Sequence, residues 1–297
     1  MMTPWKSRLE EKKVLIVDGA WGTELFSRGL KPPGIPEAWN IERPEEVLAV
    51  ALSYVNAGAD IILTNTFGGS PLKLAKAGLE RKTAEINRLG AEISKKAARN
   101  RALVFGSIGP TGELVVPLGK ATEEEMVKGF AEQAKALATG GVDGIVIETM
   151  MDLTEAKAAL RAVRENTSLP AAVTMTFNKA GRGYATLMGT RPEQAAAELE
   201  KAGAIMVGAN CGAGIDVIIE VARLMRPATG LPIWCKPNAG LPEYVDGNTV
   251  YRETPEQMSS KLAALVEAGA TMVGGCCGST PTHIRALVLE RNKLIAW

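Results

Sequence analysis

The sequence has little aromatic character: Phe, Trp and Tyr together make up 5 % of residues. It has a single histidine, His283. It also has almost no excess charge, since 34 basic and 33 acidic side chains leave a formal +1, and no long run of Lys or Arg occurs. Nucleic acids and anionic membranes are gripped by clustered positive charge, so neither is indicated as a partner. No stretch of 18 apolar residues is present, so no transmembrane helix is expected. The segment from Met1 to Lys13 is charged rather than apolar, unlike a secretory signal. The expectation is a cytoplasmic protein. Four cysteines, Cys211, Cys235, Cys276 and Cys277, are too few for a disulfide scaffold in 297 residues. The lone histidine falls one turn into the last helical stretch, on its surface or behind the site, which argues against an imidazole general base.

What the chain does have is apolar sequence, 46 % of residues, enough for a large core. It comes in short runs separated by longer amphipathic stretches. Eight runs read as strands: Val14–Val17, Asp60–Leu63, Leu103–Phe105, Gly144–Ile147, Ala171–Met175, Ala204–Val207, Pro232–Cys235 and Thr271–Val273. They are almost continuously apolar, as parallel strands covered on both faces must be. Between them lie helical stretches with start and stop signals. Pro44–Ala57 has Pro first, Glu45 and Glu46 in its first turn, and Gly58 after its end. Thr122–Thr139 opens with Thr122 and Glu125 spaced as a capping box, and Thr254–Ala268 opens with Thr-Pro and stops at Gly269. An Ala-Gly-Ala phrase before strands recurs at residues 57–59, 202–204 and 268–270, a weak internal repeat. Eight such units predict a single-domain α/β fold over 1–297, a (β/α)8 TIM barrel with its core at about 12–290. A doubly wound open sheet is the alternative. The first dozen residues read as a separate amphipathic helix that plugs the barrel bottom.

Barrels of this kind place their chemistry at the C-terminal ends of the strands. Cys211 follows the sixth strand, and Cys276 and Cys277 follow the eighth. Only a closed barrel brings them together. Three thiolates with an open position match a catalytic zinc site, and Gly212, Gly274, Gly275 and Gly278 let the backbone turn tightly around them. Ser279-Thr280-Pro281 reads as a helix start whose partial positive charge would favour thiolates. Three other readings stand beside this one. The cysteines are small buried residues at a Gly-rich turn, or Gly274–Gly278 cradles phosphate through its backbone N–H groups, or Cys276 and Cys277 are a redox pair. Cys235, inside the seventh strand, reads as a core residue. Asp18 and Glu148 each end an apolar strand and face the mouth, either to salt-bridge a substrate amino group or to cap the following loop.

The sequence resembles the homocysteine S-methyltransferase family over about residues 12 to 290. The motifs that carry the resemblance are Gly274-Gly275-Cys276-Cys277-Gly278-Ser279-Thr280-Pro281 with His283-Ile284, and Gly208-Ala209-Asn210-Cys211. Supporting matches are Asp18-Gly19-Ala20-Trp21-Gly22-Thr23, Thr64-Asn65-Thr66-Phe67, Gly106-Ser107-Ile108-Gly109-Pro110-Thr111-Gly112, Gly141-Val142-Asp143-Gly144 with Glu148-Thr149, and Pro237-Asn238-Ala239-Gly240. The resemblance implies a (β/α)8 barrel binding zinc through Cys211, Cys276 and Cys277. It implies that Asp18, Thr66 and Glu148 hold the amino-acid group of homocysteine, and Asn210 is expected with them on the substrate side. Ser279 stands where the family usually has Thr, and Gly212-Ala213 follow Cys211 where methionine-forming members tend to have Ser.

The expected activity is methylation of the homocysteine thiol, activated as a zinc thiolate, to methionine. The first loop resembles the cobalamin-linked branch of the family, which implies a methylcorrinoid donor carried by a separate protein or domain. Scarce aromatics agree with this, because a small cationic donor needs an aromatic cage. The alternatives are a small donor, S-methylmethionine or betaine, or a corrinoid-linked enzyme acting on another thiol or in a demethylation pathway. A zinc- or corrinoid-binding partner without catalysis would not be expected to keep Cys211, Cys276, Cys277, Asp18 and Glu148 together.

Overall fold

The computed structural model describes residues 4–245 and 248–294. Eight parallel strands alternate with helices: β1 (Leu15–Ile16), β2 (Ile61–Leu63), β3 (Leu103–Ile108), β4 (Gly144–Met150), β5 (Ala171–Met175), β6 (Met206–Asn210), β7 (Ile233–Lys236) and β8 (Ala270–Val273). They pair in chain order, with β1 returning to β8 in the register Leu15↔Met272 and Ile16↔Val273. A parallel bridge between Val17 and Ile61 joins β1 to β2 and closes the sheet into the expected (β/α)8 barrel. Two short antiparallel hairpins, Asn178–Ala180 with Gly183–Ala185 and Glu243–Val245 with Asn248–Val250, stand in the loops after β5 and β7.

Successive strand residues point to opposite faces, and the core divides accordingly. Leu15, Val17, Ile61, Leu63, Leu103, Phe105, Val146, Ala172, Met206, Trp234 and Met272 form one buried cluster, the barrel interior. Their neighbours, among them Ile16, Ile62, Val104, Ile145, Ile147 and Val173, belong to the larger cluster between sheet and helices. The N-terminal helix Pro4–Lys12 sends Trp5 into the interior cluster, so it closes the barrel floor as its pattern predicts.

The period of two also builds the site. Two residues beyond Phe105, Val146, Ala172 and Trp234 on their strands are Ser107, Glu148, Thr174 and Lys236, all buried. A polar layer therefore caps the apolar interior at the C-terminal mouth.

Several elements differ from the sequence expectation. β3 and β4 run on to Ile108 and Met150, and β6 ends on Asn210, because polar residues at the mouth continue the ladder. The expected helix Thr254–Ala268 is two helices, Pro255–Ser259 and Leu262–Glu267. At the break, the Ser259 and Ser260 hydroxyls donate to the Glu256 and Gln257 carbonyls, competing with backbone donors. The helix Glu123–Thr139 begins as predicted, with Thr122 and Glu125 capping each other. Thr122→Ala is expected to lower unfolding stability by about 1 kcal/mol in urea titration, the usual worth of such a cap.

Candidate metal and substrate site

Cys211 follows β6, and Cys276 and Cys277 lie in the loop after β8. Their sulfurs lie within 4.8 Å of one another, with Cys211 and Cys277 3.9 Å apart. Backbone bonds lock the loops together: Cys211 N–H donates to the Lys236 carbonyl at 3.1 Å, and Cys276 N–H to the Pro237 carbonyl at 2.7 Å. Cys211 has a left-handed backbone, φ 60, as does Thr149 at φ 63. Such non-glycine residues cost of order 1 kcal/mol each and need support. Asn210 supplies it. Its Oδ1 accepts from Thr149 N–H at 2.8 Å and from the Thr174 hydroxyl at 2.6 Å, and its Nδ2 donates to the Thr149 hydroxyl at 2.7 Å.

The three thiols share hydrogen bonds. Donation from the Cys276 and Cys277 thiols pulls Cys211 well below the ordinary thiol range, and the same sharing pushes Cys276 and Cys277 up. Asn238 is only 3 % exposed, and its Oδ1 has no hydrogen-bond partner among the described residues. Three soft donors beside an orphaned buried oxygen fit a thiophilic divalent ion such as zinc, which catalytic sites hold through three protein ligands and an open position.

Next to the sulfurs lies an ionic layer. Lys236 Nζ donates to Asp18 Oδ1 at 2.9 Å, and both residues are buried. Asp18 Oδ2 accepts from Trp21 Nε1 at 2.8 Å and from Leu63 N–H at 2.7 Å. Burial disfavours the Lys236 ammonium, but Asp18 and Glu148 outweigh it and raise its pKa. Burial likewise pushes the Glu148 carboxyl up, with Lys236 and the Ser107 hydroxyl at 2.5 Å pulling partway back. The other Glu148 oxygen, Oε2, has no hydrogen bond among the described residues. Thr66 is fully buried; its hydroxyl donates to the Ser107 carbonyl at 2.8 Å and lies 2.5 Å from the Thr64 hydroxyl.

Asp18, Glu148, Asn210 and the three cysteines therefore gather at one end of the barrel, with Thr66 packed beneath the mouth. Cys235 is fully buried, and burial pushes its thiol up to about 12, as suits an inert core residue. His283 is buried rather than on the helix surface. Its Nδ1 accepts from Thr280 N–H at 3.1 Å and its Nε2 bonds the Glu253 carbonyl at 2.9 Å, tying the last helix to the loop after β7. Sequence reasoning gave no role to Lys236 or Asn238. A lysine two residues beyond an interior Trp on an apolar strand was a usable signal for the first. The placement of the second depends on loop geometry that no local pattern records.

The mouth of this (β/α)8 barrel thus combines a three-cysteine cluster with buried carboxylates. A family model for homocysteine S-methyltransferase matches residues 15–290, and the chain belongs to that family. It is 31 % identical to the methionine synthases of Mycobacterium leprae and Mycobacterium tuberculosis, over 92 % of this chain and 24 % of each relative. The chain thus spans about a quarter of the length of these relatives. It also shares its fold with the metallated form of the homocysteine methyltransferase MmuM from Escherichia coli, at 24 % identity and a TM-score of 0.80, covering 96 % of this chain and 99 % of that one. Among the described residues no helix is long and apolar enough to cross a membrane.

Proposed function

We propose that this chain transfers a methyl group to the sulfur of homocysteine, forming methionine, with zinc held by Cys211, Cys276 and Cys277. The observation that carries the reading is the convergence of these three sulfurs on the barrel mouth, in electrostatic range of Glu148 and Lys236. A free alkyl thiol has a pKa of about 8.5 and is mostly protonated at pH 7. Zinc, when bound, supplies the acidity that turns a coordinated thiol into a thiolate. The chain's own residues position the substrate. Glu148 accepts the ammonium group through its unengaged Oε2, and Asp18, held by Lys236, Trp21 and Leu63, adds a second fixed negative charge. Thr66 orders the layer beneath them through Ser107, the hydroxyl partner of Glu148. Asn210 acts at one remove, fixing Thr149 and the neighbouring Cys211.

The donor in this reading is a methylcorrinoid carried on another protein or domain. Large apolar side chains stand exposed on the loops around the mouth, including Leu114, Leu118, Leu187, Leu241 and Tyr244. Exposed apolar groups gathered on one face suit a docking partner, and a docked partner would hold cobalt, methyl and sulfur in line. The test is methionine formation by purified protein with zinc and homocysteine, offered methylcobalamin, betaine and S-methylmethionine in parallel. Turnover should be slow with free methylcobalamin and faster with a corrinoid-bearing protein. Robust turnover with betaine or S-methylmethionine, and none with a methylcorrinoid, would replace the donor and leave the thiol chemistry standing.

A further inference from the structure

An α-amino acid carries two opposite charges. Its ammonium nitrogen and carboxylate carbon are both bonded to Cα and lie about 2.5 Å apart. A buried site that accepts the ammonium therefore takes in the carboxylate as well, and an unpaired charge out of water is costly. Glu148 and Asp18 answer the ammonium in the reading above, and the carboxylate needs a partner of the opposite sign.

Buried cations are few. Among the described residues, the only buried Lys or Arg side chains are Lys236, 2 % exposed, and Arg291, 4 % exposed. Arg291 sits at the opposite end of the barrel, where its guanidinium donates to Asp60 Oδ2 at 2.8 Å and to the Val14 carbonyl at 3.1 Å. Lys236 closes β7, in the buried layer that holds Ser107, Glu148 and Thr174. The strand is flanked by β6 and β8, so the backbone that carries this lysine is fixed on both sides. Its ammonium has three N–H donors. One is used, toward Asp18 Oδ1 at 2.9 Å, and no other hydrogen bond leaves Nζ among the described residues. Asp18 in turn has its second oxygen engaged by Trp21 and Leu63. The layer thus offers Glu148 Oε2 as an acceptor and Lys236 Nζ as a donor, both with bonding capacity to spare. The two groups lie in electrostatic range of each other. A cation and an anion so placed are the complement of a zwitterion.

We propose that Lys236 receives the α-carboxylate of the substrate and so makes the site selective for amino-acid thiols over simple aminothiols. The inference rests on the homocysteine reading above. Without Lys236 the substrate carboxylate would meet Asp18 and Glu148 and no buried cation, and like charges at close range repel. An aminothiol that lacks the carboxylate leaves the Nζ donors unused, and a site built to bond a polar group discriminates against the analogue without it.

The test compares L-homocysteine with homocysteamine, the same thiol with hydrogen in place of the carboxylate, by calorimetric titration of zinc-loaded protein. Wild-type protein should bind homocysteine at least about tenfold more tightly, the equivalent of one hydrogen bond between charged groups. Lys236→Met should bring the ratio near one by weakening homocysteine, while homocysteamine keeps its affinity or gains. Lys236→Arg keeps the cation and should keep the preference. A lysine that serves only to hold Asp18 would give another pattern. Both ligands share the ammonium that Asp18 faces, so both would weaken together in Lys236→Met. That pattern overturns the inference, and so does wild-type protein that binds the two ligands equally, a comparison that needs no variant to fold. Wild-type protein that holds zinc and binds neither thiol removes the homocysteine reading itself. Homocysteine binding with a preference that Lys236→Met leaves intact removes this inference alone.

Discussion

Cys276→Ser should lose most of its zinc, while wild-type protein should retain about one ion per chain, as a site with three protein ligands does. Cys211→Ser should behave in the same way. The reason is the donor set: the sulfurs lie within 4.8 Å of one another, and no other cluster of three such groups is found among the described residues. A serine hydroxyl is not deprotonated at neutral pH and is a hard donor, so it replaces neither the charge nor the softness of the thiolate. Methionine formation should fall with the metal. Metal analysis after dialysis, with thiol titration, decides the matter. Wild-type protein with three titratable thiols in this cluster and no affinity for zinc would defeat the assignment. Rapid formation of a Cys276–Cys277 disulfide in such protein would favour the redox-pair reading.

Glu148→Gln should weaken homocysteine binding by roughly 1.5–3 kcal/mol, the worth of a hydrogen bond to a charged group. Zinc content should not change, because no metal ligand is touched. The substitution keeps the shape and the contact to Ser107 and removes the charge opposite the substrate ammonium. The effect also has a pH signature. Burial raises the Glu148 pKa, so acid protonates it earlier than an exposed glutamate. Wild-type affinity should fall as pH drops through that raised pKa, and Glu148→Gln should lack this contribution. Calorimetric titration of zinc-loaded protein across the acid range measures both effects. Equal affinity in the two proteins would return Glu148 to a loop-capping role.

The barrel was legible in the sequence because its strands are short, almost wholly apolar and separated by capped helices. Glu148 was legible for the same reason, since a carboxylate that ends an apolar run has only the mouth to face. Its proximity to Cys211 needed the strand order, in which only β5 separates β4 from β6. Lys236 was harder to assign. A lysine at a strand end usually snorkels to solvent, and only the position of Asp18, brought close by closure of β1 onto β8, keeps this one inside. Asn238 was not assignable, since a turn after β7 sets its burial. The break between Ser259 and Leu262 was missed because the apolar pattern continues across it while the serine hydroxyls compete for carbonyls.

The sulfurs come from loops after β6 and β8, and that separation sets when the site can come into being. Contacts between residues far apart in sequence form late, because the entropy of closing the intervening loop must be met first. Cys211 is in place once β6 joins the sheet, and its two companions arrive when the last strand docks beside β7. The trio is complete only after β8 has docked beside β7, so metal capture would report the arrival of the last strand. An ion bound there would act as a clasp between the sixth and eighth strands, and its binding energy would add to that of folding.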